Sequence, residues 1–385
     1  MISRFSRRQV LGGAAGVAGL ATLPACTAGK KERLTITQVD VFRVVVPMKP
    51  DSTAEPALAE SDRFDLVPKA ILKVHTDSGI VGIGESGRGE DFAGIQRNAE
   101  TLRGKRVFDL NLTRLELPSA AGYAAYEMAL YDAVGKAVGW PVSKLLGGLL
   151  QSKVLVGYWT GRKTPEGMHR VAERALAGKF TCIKTKCKQG DPIVEAVEMV
   201  AKVAPGIKVI VDPNTRYDGL KAFLPVAKAL DRVGNMLVFE DPFDKSDYAG
   251  YRELRKQVKT HVALHLGDPK AMIRGIREQA CSVFNTAGNP GMADFVANCY
   301  LAAAAEMPVW HGSGNDLGII DASYVHSCAA APNCSLPSDV LSYLREDDLI
   351  VQPIEIKDSY ATVPSGPGLG VDLDEDALKK YRANA

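Results

Sequence analysis

The chain of 385 residues is short of cysteine and histidine, with seven of the first and six of the second. The cysteines form no C-x-x-C pair and have no regular spacing, which argues against a structural zinc site and against a small disulfide scaffold. Cys182, Cys281, Cys299 and Cys328 lie in apolar contexts, and we interpret them as small core residues.

An excess of one charge is also missing. The 47 Lys and Arg residues oppose 45 Asp and Glu residues, for a net charge of +2. Because no long basic run or basic patch interleaved with aromatic residues accompanies this balance, we expect no nucleic-acid partner. With 46% hydrophobic and 24% charged residues, the composition is that of a globular protein, and a small-molecule function is favoured.

The apolar stretch near the N-terminus, Val10 to Leu23, is too short to span a bilayer comfortably. It follows a basic start and precedes small residues, which is the pattern of an export signal. "SRRQVL" resembles the twin-arginine export motif, with Arg7 and Arg8 as the pair, and "LPAC" resembles a lipoprotein cleavage box, with Cys26 as the lipidated residue. The alternative is a signal cut elsewhere, near Ala28. We expect export by the twin-arginine route, to the periplasm or to a lipid anchor on the outer side of the membrane.

After the predicted export signal, the sequence pattern predicts an α+β module. "LTITQVDVFRVVVP" predicts one strand, and "KAILKVHTDSGIVGIGES" predicts two strands joined by a turn at 77–79. The polar segment 48–66 between them predicts a loop that closes over a site. A helical pattern follows and is broken at 139–141.

From Val154 onward, apolar strand candidates alternate with helical stretches, which predicts a parallel sheet. The polar residues that close successive strands, Lys186, Asp212, Glu240 and Asp268, are 26 to 28 residues apart, which suits one βα unit of a (β/α)8 barrel. The C-terminal ends of such strands form the catalytic face. The predicted domains are 1–30, the export signal and linker; 31–152, an α+β capping domain; 153–350, a (β/α) barrel with a metal site; and 351–385, a C-terminal segment that returns to the capping domain.

Two lysines stand in the strand "CIKTK". Lys184 and Lys186 are two residues apart and therefore share one face of the strand. A lysine whose pKa is lowered by burial or by a neighbouring cation suits proton abstraction near neutral pH. The strand ends at Asp212, Glu240 and Asp268 supply hard carboxylate oxygens that suit Mg²⁺, with Mn²⁺ as the alternative. Taken alone, Asp212 or Asp268 would be better explained as a helix cap.

These motifs together resemble the enolase superfamily, in its mandelate racemase and muconate lactonizing enzyme branch. The resemblance covers the chain from about residue 33 and rests on "YEMALYDAVGKAVGWPVSKLLGG", "IKTK", "VDPN", "FEDP" and "VPSGPGLGVDLDED". It implies an α/β fold: a TIM-like (β/α) barrel with an α+β N-terminal capping domain that the C-terminal segment completes. It also implies removal of the proton α to the carboxylate of a small substrate, with Mg²⁺ holding the enediolate, and a homo-oligomer. Lys186 is then the base, and Lys184 tunes its pKa and meets the substrate carboxylate.

The sequence departs from the family pattern at the fifth and sixth strands. The fifth strand usually ends in Glu; here Asp268 is the favoured ligand, and His265 is the alternative, interpreted as a packing residue. The seventh strand offers His311 as an acid-base group, but the sixth shows Ser282 and Asn285 and no aspartate to orient it.

The substrate-binding candidates are Asn214, Asn285 and Trp159. One base with one modest acid favours dehydration of a hydroxy or sugar acid. The alternatives are a racemase or epimerase that uses Lys186 opposite His311, and a catalytically silent carboxylate-binding barrel lipoprotein.

Overall fold

The computed structural model describes residues 34–49, 55, 58, 65–286 and 291–383. The proposed export residues Arg7, Arg8 and Cys26 lie outside this part of the chain. Among the described helices, none combines the length and the apolar character needed to cross a bilayer.

The N-terminal part forms an antiparallel sheet of β1 (Ile36–Pro47), β2 (Leu66–Thr76) and β3 (Val81–Glu85), in that order, with the helix α2 (Tyr123–Val138) packed on β3. Its glycines allow this packing, because a Cβ atom at Gly82 or Gly84 would lie 2.0 Å from a carbonyl oxygen of α2. The predicted helix break is confirmed, since α2 ends at Gly139 in the left-handed region and α3 (Val142–Leu145) follows Pro141. The first helix of this part, α1 (Phe92–Leu102), precedes α2 in the chain.

The second part alternates strands and helices around a parallel sheet in the order β11-β10-β9-β8-β7-β6-β5. After the short strand β4 (Lys153–Leu155) come β5 (Tyr158–Thr160), α4 (Pro165–Ala177), β6 (Cys182–Lys186), α5 (Ile193–Val203), β7 (Lys208–Asp212), α6 (Leu220–Val233) and β8 (Met236–Glu240). The chain continues with α7 (Tyr248–Gln257), β9 (His261–His265), α8 (Pro269–Arg277), β10 (Val283–Asn285), α9 (Met292–Ala304), β11 (Val309–Trp310) and α10 (Gly318–Ala330).

The segment 333–339 lies between the two edges of this sheet. Cys334 forms a parallel bridge with Val309 of β11, and Ser338 forms one with Val156, just before β5. The segment therefore occupies the eighth position of the barrel. The interior between the strands is filled by small and apolar side chains: Cys182, Ile210, Val238, Ala263, Val283 and Trp310.

The C-terminal segment adds β12 (Ile356–Lys357), β13 (Tyr360–Thr362) and α11 (Glu375–Tyr381). β13 pairs antiparallel with both β12 and β4, and the backbone of Arg382 bridges Val44 in β1. The chain thus ends against the first strand of the capping domain. The predicted fold class, a (β/α) barrel with an α+β capping domain, is confirmed.

Candidate active site

Three neighbouring strands bring their C-terminal ends together at one mouth of the barrel. The register of β6 and β7 places Lys186 beside Asp212, and Glu240 ends β8 next in the sheet. Lys186 Nζ forms an ion pair with Asp212 Oδ2. Lys184 Nζ lies 2.9 Å from Glu240 Oε2, 3.7 Å from Asp212 Oδ2 and 3.2 Å from Oδ2 of Asp339. The structure therefore joins both predicted lysines and two of the three predicted carboxylates.

This cluster is withdrawn from solvent. Lys184 is 3% exposed, and Asp212 and Glu240 are fully buried. Burial alone would lower the pKa of Lys184, but the carboxylates of Asp339, Glu240 and Asp212 outweigh it and raise that pKa above its ordinary value. The expectation of a lowered pKa does not hold for Lys184, because these three carboxylates surround its ammonium group. Lys184 is a charged group poised to meet an anion.

The two carboxylates differ in their electrostatic surroundings. Burial and the neighbouring Asp212 raise the pKa of Glu240 to about 7, against the opposing effect of the two lysines. Burial also acts to raise the pKa of Asp212, but Lys186 and Lys184 outweigh it and lower that pKa to about 2. Asp212 is thus an anion at neutral pH.

The prediction that Asp268 supplies the third carboxylate is corrected by the structure. Asp268 follows the end of β9 by three residues and is exposed, and its side chain accepts hydrogen bonds from the backbone N–H groups of Lys270 and Ala271 at the start of α8. It is a helix cap, as any isolated strand-end aspartate can be. β9 ends instead at His265, whose Nδ1 lies 3.8 Å from Glu240 Oε1.

The asparagines predicted to bind substrate hold the two carboxylates. Asn285 Nδ2 donates to Glu240 Oε1 at 2.7 Å, and its Oδ1 accepts from the backbone N–H of Gly312 at 3.2 Å. Asn214 Nδ2 donates to Asp212 Oδ1 at 3.0 Å. Both asparagines also line the mouth, so they orient the carboxylates and face the substrate space.

The mouth is a cavity of about 350 Å³. Its charged walls include three arginines beside the two lysines, and among them Arg162 is 2% exposed and donates twice to Asp191, at 2.7 and 2.5 Å. The cavity therefore brings cationic side chains and carboxylates to one space. The residues that line this cavity and are either ionisable or predicted to bind substrate are Arg88, Trp159, Arg162, Lys184, Lys186, Asp212, Asn214, Arg216, Glu240, His265 and Asn285.

His311 lies beside this mouth, in an adjoining cavity of about 400 Å³ that reaches the capping domain. Its Nδ1 lies 2.7 Å from the carbonyl oxygen of Gly312, and because a carbonyl only accepts, Nδ1 carries a proton. The ring packs between Phe295 and Tyr324, with centroid distances of 4.4 and 3.7 Å. Burial lowers the pKa of His311 to about 4, so that the ring is neutral near pH 7.

Two contacts tie the capping domain to the mouth. Glu55, from the predicted closing loop, accepts from the backbone N–H of Thr164 at 2.9 Å and pairs with Arg170 at 2.7 Å, at the start of α4. Lys69 of β2 pairs with Asp316 in the loop after β11, and both side chains are almost fully buried. The capping domain thus holds loops on both sides of the mouth.

Asp339, Arg162 and Glu55 are site residues that the sequence did not indicate. Asp339 is the last residue of the closing segment 333–339 of the barrel, which contains isolated bridges rather than a regular strand. Asp339 could have been found from the βα repeat, because it lies where the eighth strand of the barrel is expected to end. The sequence offered no comparable signal for Arg162 or Glu55.

Comparison with known proteins agrees with this architecture. The family model for the "Mandelate racemase / muconate lactonizing enzyme, N-terminal domain" matches residues 36–147, and the "Enolase C-terminal domain-like" model matches residues 167–377. The chain belongs to the enolase superfamily. Within it, the N-succinylamino acid racemase of Thermus thermophilus is 32% identical over 258 residues, which cover 65% of this chain and 68% of that protein.

Two further proteins are similar to this chain. The o-succinylbenzoate synthase of Bacillus subtilis is 28% identical over 267 residues, which cover 67% of this chain and 70% of that protein. The structure of an enolase from Thermobispora bispora, complexed with magnesium and formate, shares the fold, with a TM-score of 0.78, 24% identity and coverage of 90% of this chain and 92% of that one. The relatives are isomerases and lyases, and this chain is an enzyme of the same kind.

The residues present at the mouth fit a divalent cation. Asp212 and Glu240 turn oxygens toward one point, where Lys184 Nζ now lies. Among the described residues, Glu240 Oε2 is buried and takes part in no hydrogen bond of acceptable geometry, although the Lys184 ammonium group is near. A buried carboxylate oxygen left in this way is available to a cation.

Proposed function

We propose that this enzyme removes the proton α to the carboxylate of a small acid and then expels a β-hydroxyl group, so that it dehydrates a hydroxy or sugar acid. The observation that carries the proposal is the ionic cluster at the mouth: Lys184 and Lys186 from one strand, beside Asp212 and Glu240 from the next two. Removal of such a proton places a second negative charge on the substrate carboxylate. Cationic groups fixed at that position stabilise the charge as it develops.

Each residue has a role in this scheme. Lys186, whose side chain is 20% exposed at the mouth, takes the α-proton. Lys184 stays charged and faces the carboxylate oxygens of the substrate. Asp212 and Glu240 would hold Mg²⁺, or Mn²⁺ in its place, which supplies further positive charge to those oxygens.

The residue on the side of the barrel opposite Lys186 favours dehydration over racemisation. β10 is four strands away from β6 in the sheet, and its last residue is Asn285, which cannot exchange a proton in the way a base does. Elimination requires one base and one acid that protonates the departing hydroxyl group so that it leaves as water, and His311 is the candidate acid. Racemisation requires a base strong enough to take the α-proton on each face of the substrate. Elimination therefore suits these residues better.

Racemisation remains the second candidate, because the 32% identical relative is a racemase by name. His311 would then act opposite Lys186. The two functions differ in their products, since a racemase returns the acid with inverted configuration and a dehydratase releases a keto acid.

The proposal is tested by incubating the protein with Mg²⁺ and a panel of hydroxy acids in D₂O and by following deuterium at the α- and β-carbons by NMR. We expect loss of the α-proton and of the β-hydroxyl group, with one solvent deuteron appearing at the β-carbon of the keto acid. Exchange with inversion and no elimination would support the racemase. No exchange with any acid, together with no metal binding in calorimetry, would support a silent carboxylate-binding barrel.

We also propose that residues 1–30 direct export through the twin-arginine route and that Cys26 carries a lipid anchor. The proposal is supported by the "SRRQVL" and "LPAC" sequences. Replacement of both Arg7 and Arg8 by lysine should leave the precursor in the cytoplasm, as measured by fractionation and immunoblotting. Unchanged export would refute the route, and a Cys26→Ser protein that still partitions with membranes would refute the anchor.

A further inference from the structure

His265 occupies the strand end at which the enolase pattern led us to expect a carboxylate. It is the last residue of β9, where its register partner on β10 is Asn285. The ring lines both the mouth and the adjoining cavity, with 31% of the side chain exposed. The imidazole therefore faces the space that Asp212 and Glu240 also face.

The backbone of His265 is held firmly while its ring is not. The backbone N–H donates to Asp241 Oδ1 at 2.9 Å, and the carbonyl oxygen accepts from Lys245 Nζ at 2.9 Å. Among the described residues, the polar contact of the ring is the one with Glu240 Oε1, and at 3.8 Å it is too long for a hydrogen bond. The His265 ring and the Glu240 carboxylate thus lie near each other without a hydrogen bond between them. This is the arrangement expected of two groups that bind the same ion.

The distance agrees with that interpretation. Two ligand atoms bound to one metal at about 2.1 Å lie roughly 3.0 to 4.2 Å apart, depending on the angle between the bonds. The separation of 3.8 Å between His265 Nδ1 and Glu240 Oε1 is within this range. Asp241 and His265 join Glu240 in a group whose ligand atoms all lie within 4.8 Å of one another.

Asp241 has contacts of its own, although its Oδ2, like Glu240 Oε2, is buried and takes part in no hydrogen bond of acceptable geometry among the described residues. Its Oδ1 accepts from the backbone of His265, and its Oδ2 pairs with Lys245 at 2.6 Å. Its role is to fix the strand end from which His265 projects. The ring therefore has the Glu240 carboxylate within 4 Å, and Asp212 lines the same mouth.

We propose that His265 is a nitrogen ligand of the cation bound by Asp212 and Glu240, and that the site consequently prefers Mn²⁺, Co²⁺ or Zn²⁺ to Mg²⁺. This rests on the metal-dependent function proposed above and specifies the cation it uses. Mg²⁺ favours oxygen ligands and keeps several of its waters, whereas the first-row divalent metals accept an imidazole nitrogen more readily, Mn²⁺ least and Co²⁺ and Zn²⁺ more strongly. A neutral imidazole ring in place of a third carboxylate therefore weakens the binding of Mg²⁺ more than the binding of Mn²⁺, Co²⁺ or Zn²⁺.

The test uses the purified chain, stripped of metal with a chelator and titrated with Mg²⁺ and with Mn²⁺ in a calorimeter. The informative variant is His265→Asp, which restores an all-oxygen set. We expect His265→Asp to lower the preference for Mn²⁺ over Mg²⁺ by about tenfold or more. The matched control is His261→Asp, at the opposite, exposed end of the same strand, which should leave the preference unchanged.

A spectroscopic measurement checks the ligand directly. Pulsed electron paramagnetic resonance of the Mn²⁺-loaded chain should show coupling to an imidazole ¹⁴N nucleus, present in the wild type and in His261→Asp and absent in His265→Asp. Mn²⁺ binding without that coupling, or an equal metal preference in the wild type and His265→Asp, would overturn this inference and leave the proposed function standing. If no divalent cation bound at all, both would fail.

Discussion

Lys184 on β6 and Asp339 at the closing segment of the barrel meet at the mouth, with 3.2 Å between Nζ and Oδ2, although 155 residues separate them in the chain. Asp339 is thus a third anion around the lysine that faces the substrate carboxylate. It also lies close to Lys186, whose charge acts on it. The closing segment therefore contributes to the chemistry as well as to the barrel.

The first prediction concerns this pair. Asp339→Asn keeps the shape of the side chain but removes the charge that orients Lys184. We expect kcat/KM for α-proton exchange to fall about 100-fold, because a misplaced charge no longer matches the developing anion. Asp358→Asn is the matched control, since Asp358 pairs with Lys179 at 3.0 Å on the exposed surface. Equal activity of the two variants would remove Asp339 from the site.

Lys186 is the base in the proposed reaction, and its removal should be severe. Lys186→Ala should reduce the rate of α-proton exchange by about 10³-fold, within the usual range for loss of a general base. The fold should persist, because Asp212 keeps Lys184 at 3.7 Å. Circular dichroism and thermal unfolding check the fold, and NMR checks the exchange.

The control for Lys186→Ala is Lys208→Ala at the other end of the barrel, where Lys208 is exposed at the start of β7. Lys208→Ala should exchange the α-proton of the substrate at the wild-type rate. If Lys186→Ala were as active as this control, another residue would have to be the base.

The strands and the first two carboxylates were predictable from local pattern, and the residue that β9 brings to the mouth was not. "CIKTK", "KVIVD" and "MLVFE" each end in the polar residue that ends the strand. "HVALHLGD" offers two such residues, His265 and Asp268, and spacing favoured Asp268, which the structure places outside the cluster. The choice depends on non-local bonds: Asp241 fixes the His265 backbone, and Asp268 is used in capping α8. A sequence pattern does not contain these bonds.

Glu127 of α2 predicts a pH dependence of stability. It is almost fully buried and accepts from the backbone N–H groups of Met292 and Ala293 at the start of α9. Burial raises its pKa to about 7 from the ordinary 4.5, although these two hydrogen bonds oppose the shift. Since the folded pKa is the higher one, the stabilisation is complete below about pH 4.5 and is lost as the pH rises through about 7.

The variant Glu127→Gln removes this titration. Between pH 5 and pH 8, the free energy of unfolding of the wild type should fall by about 3 kcal/mol relative to that of Glu127→Gln, an upper figure from the size of the shift. Urea unfolding at the two pH values measures it. Glu195→Gln, at an exposed position of α5, should behave as the wild type does. Parallel behaviour of Glu127→Gln and the wild type would show that Glu127 does not titrate in this range.

The contact between Glu55 and the start of α4 can be broken from the helix side. A Cβ atom at Gly167 would lie 1.9 Å from Glu55 Oε1, so Gly167→Ala must displace the Glu55 carboxylate. Loss of that contact is offset by the better helix propensity of alanine, about 1 kcal/mol, so stability should change little. We expect KM to rise roughly tenfold, equivalent to about 1.4 kcal/mol, because the displaced residue anchors the segment beside the mouth.

A double-mutant cycle separates this effect from a simple change in the helix. Glu55→Ala should raise KM as much as Gly167→Ala does, and the double variant should be no worse than either, because both changes remove the same contact. Gly206→Ala is the control, since a Cβ atom there meets nothing within 4 Å. Additive effects of the two changes on KM would mean that Gly167 acts through something other than Glu55.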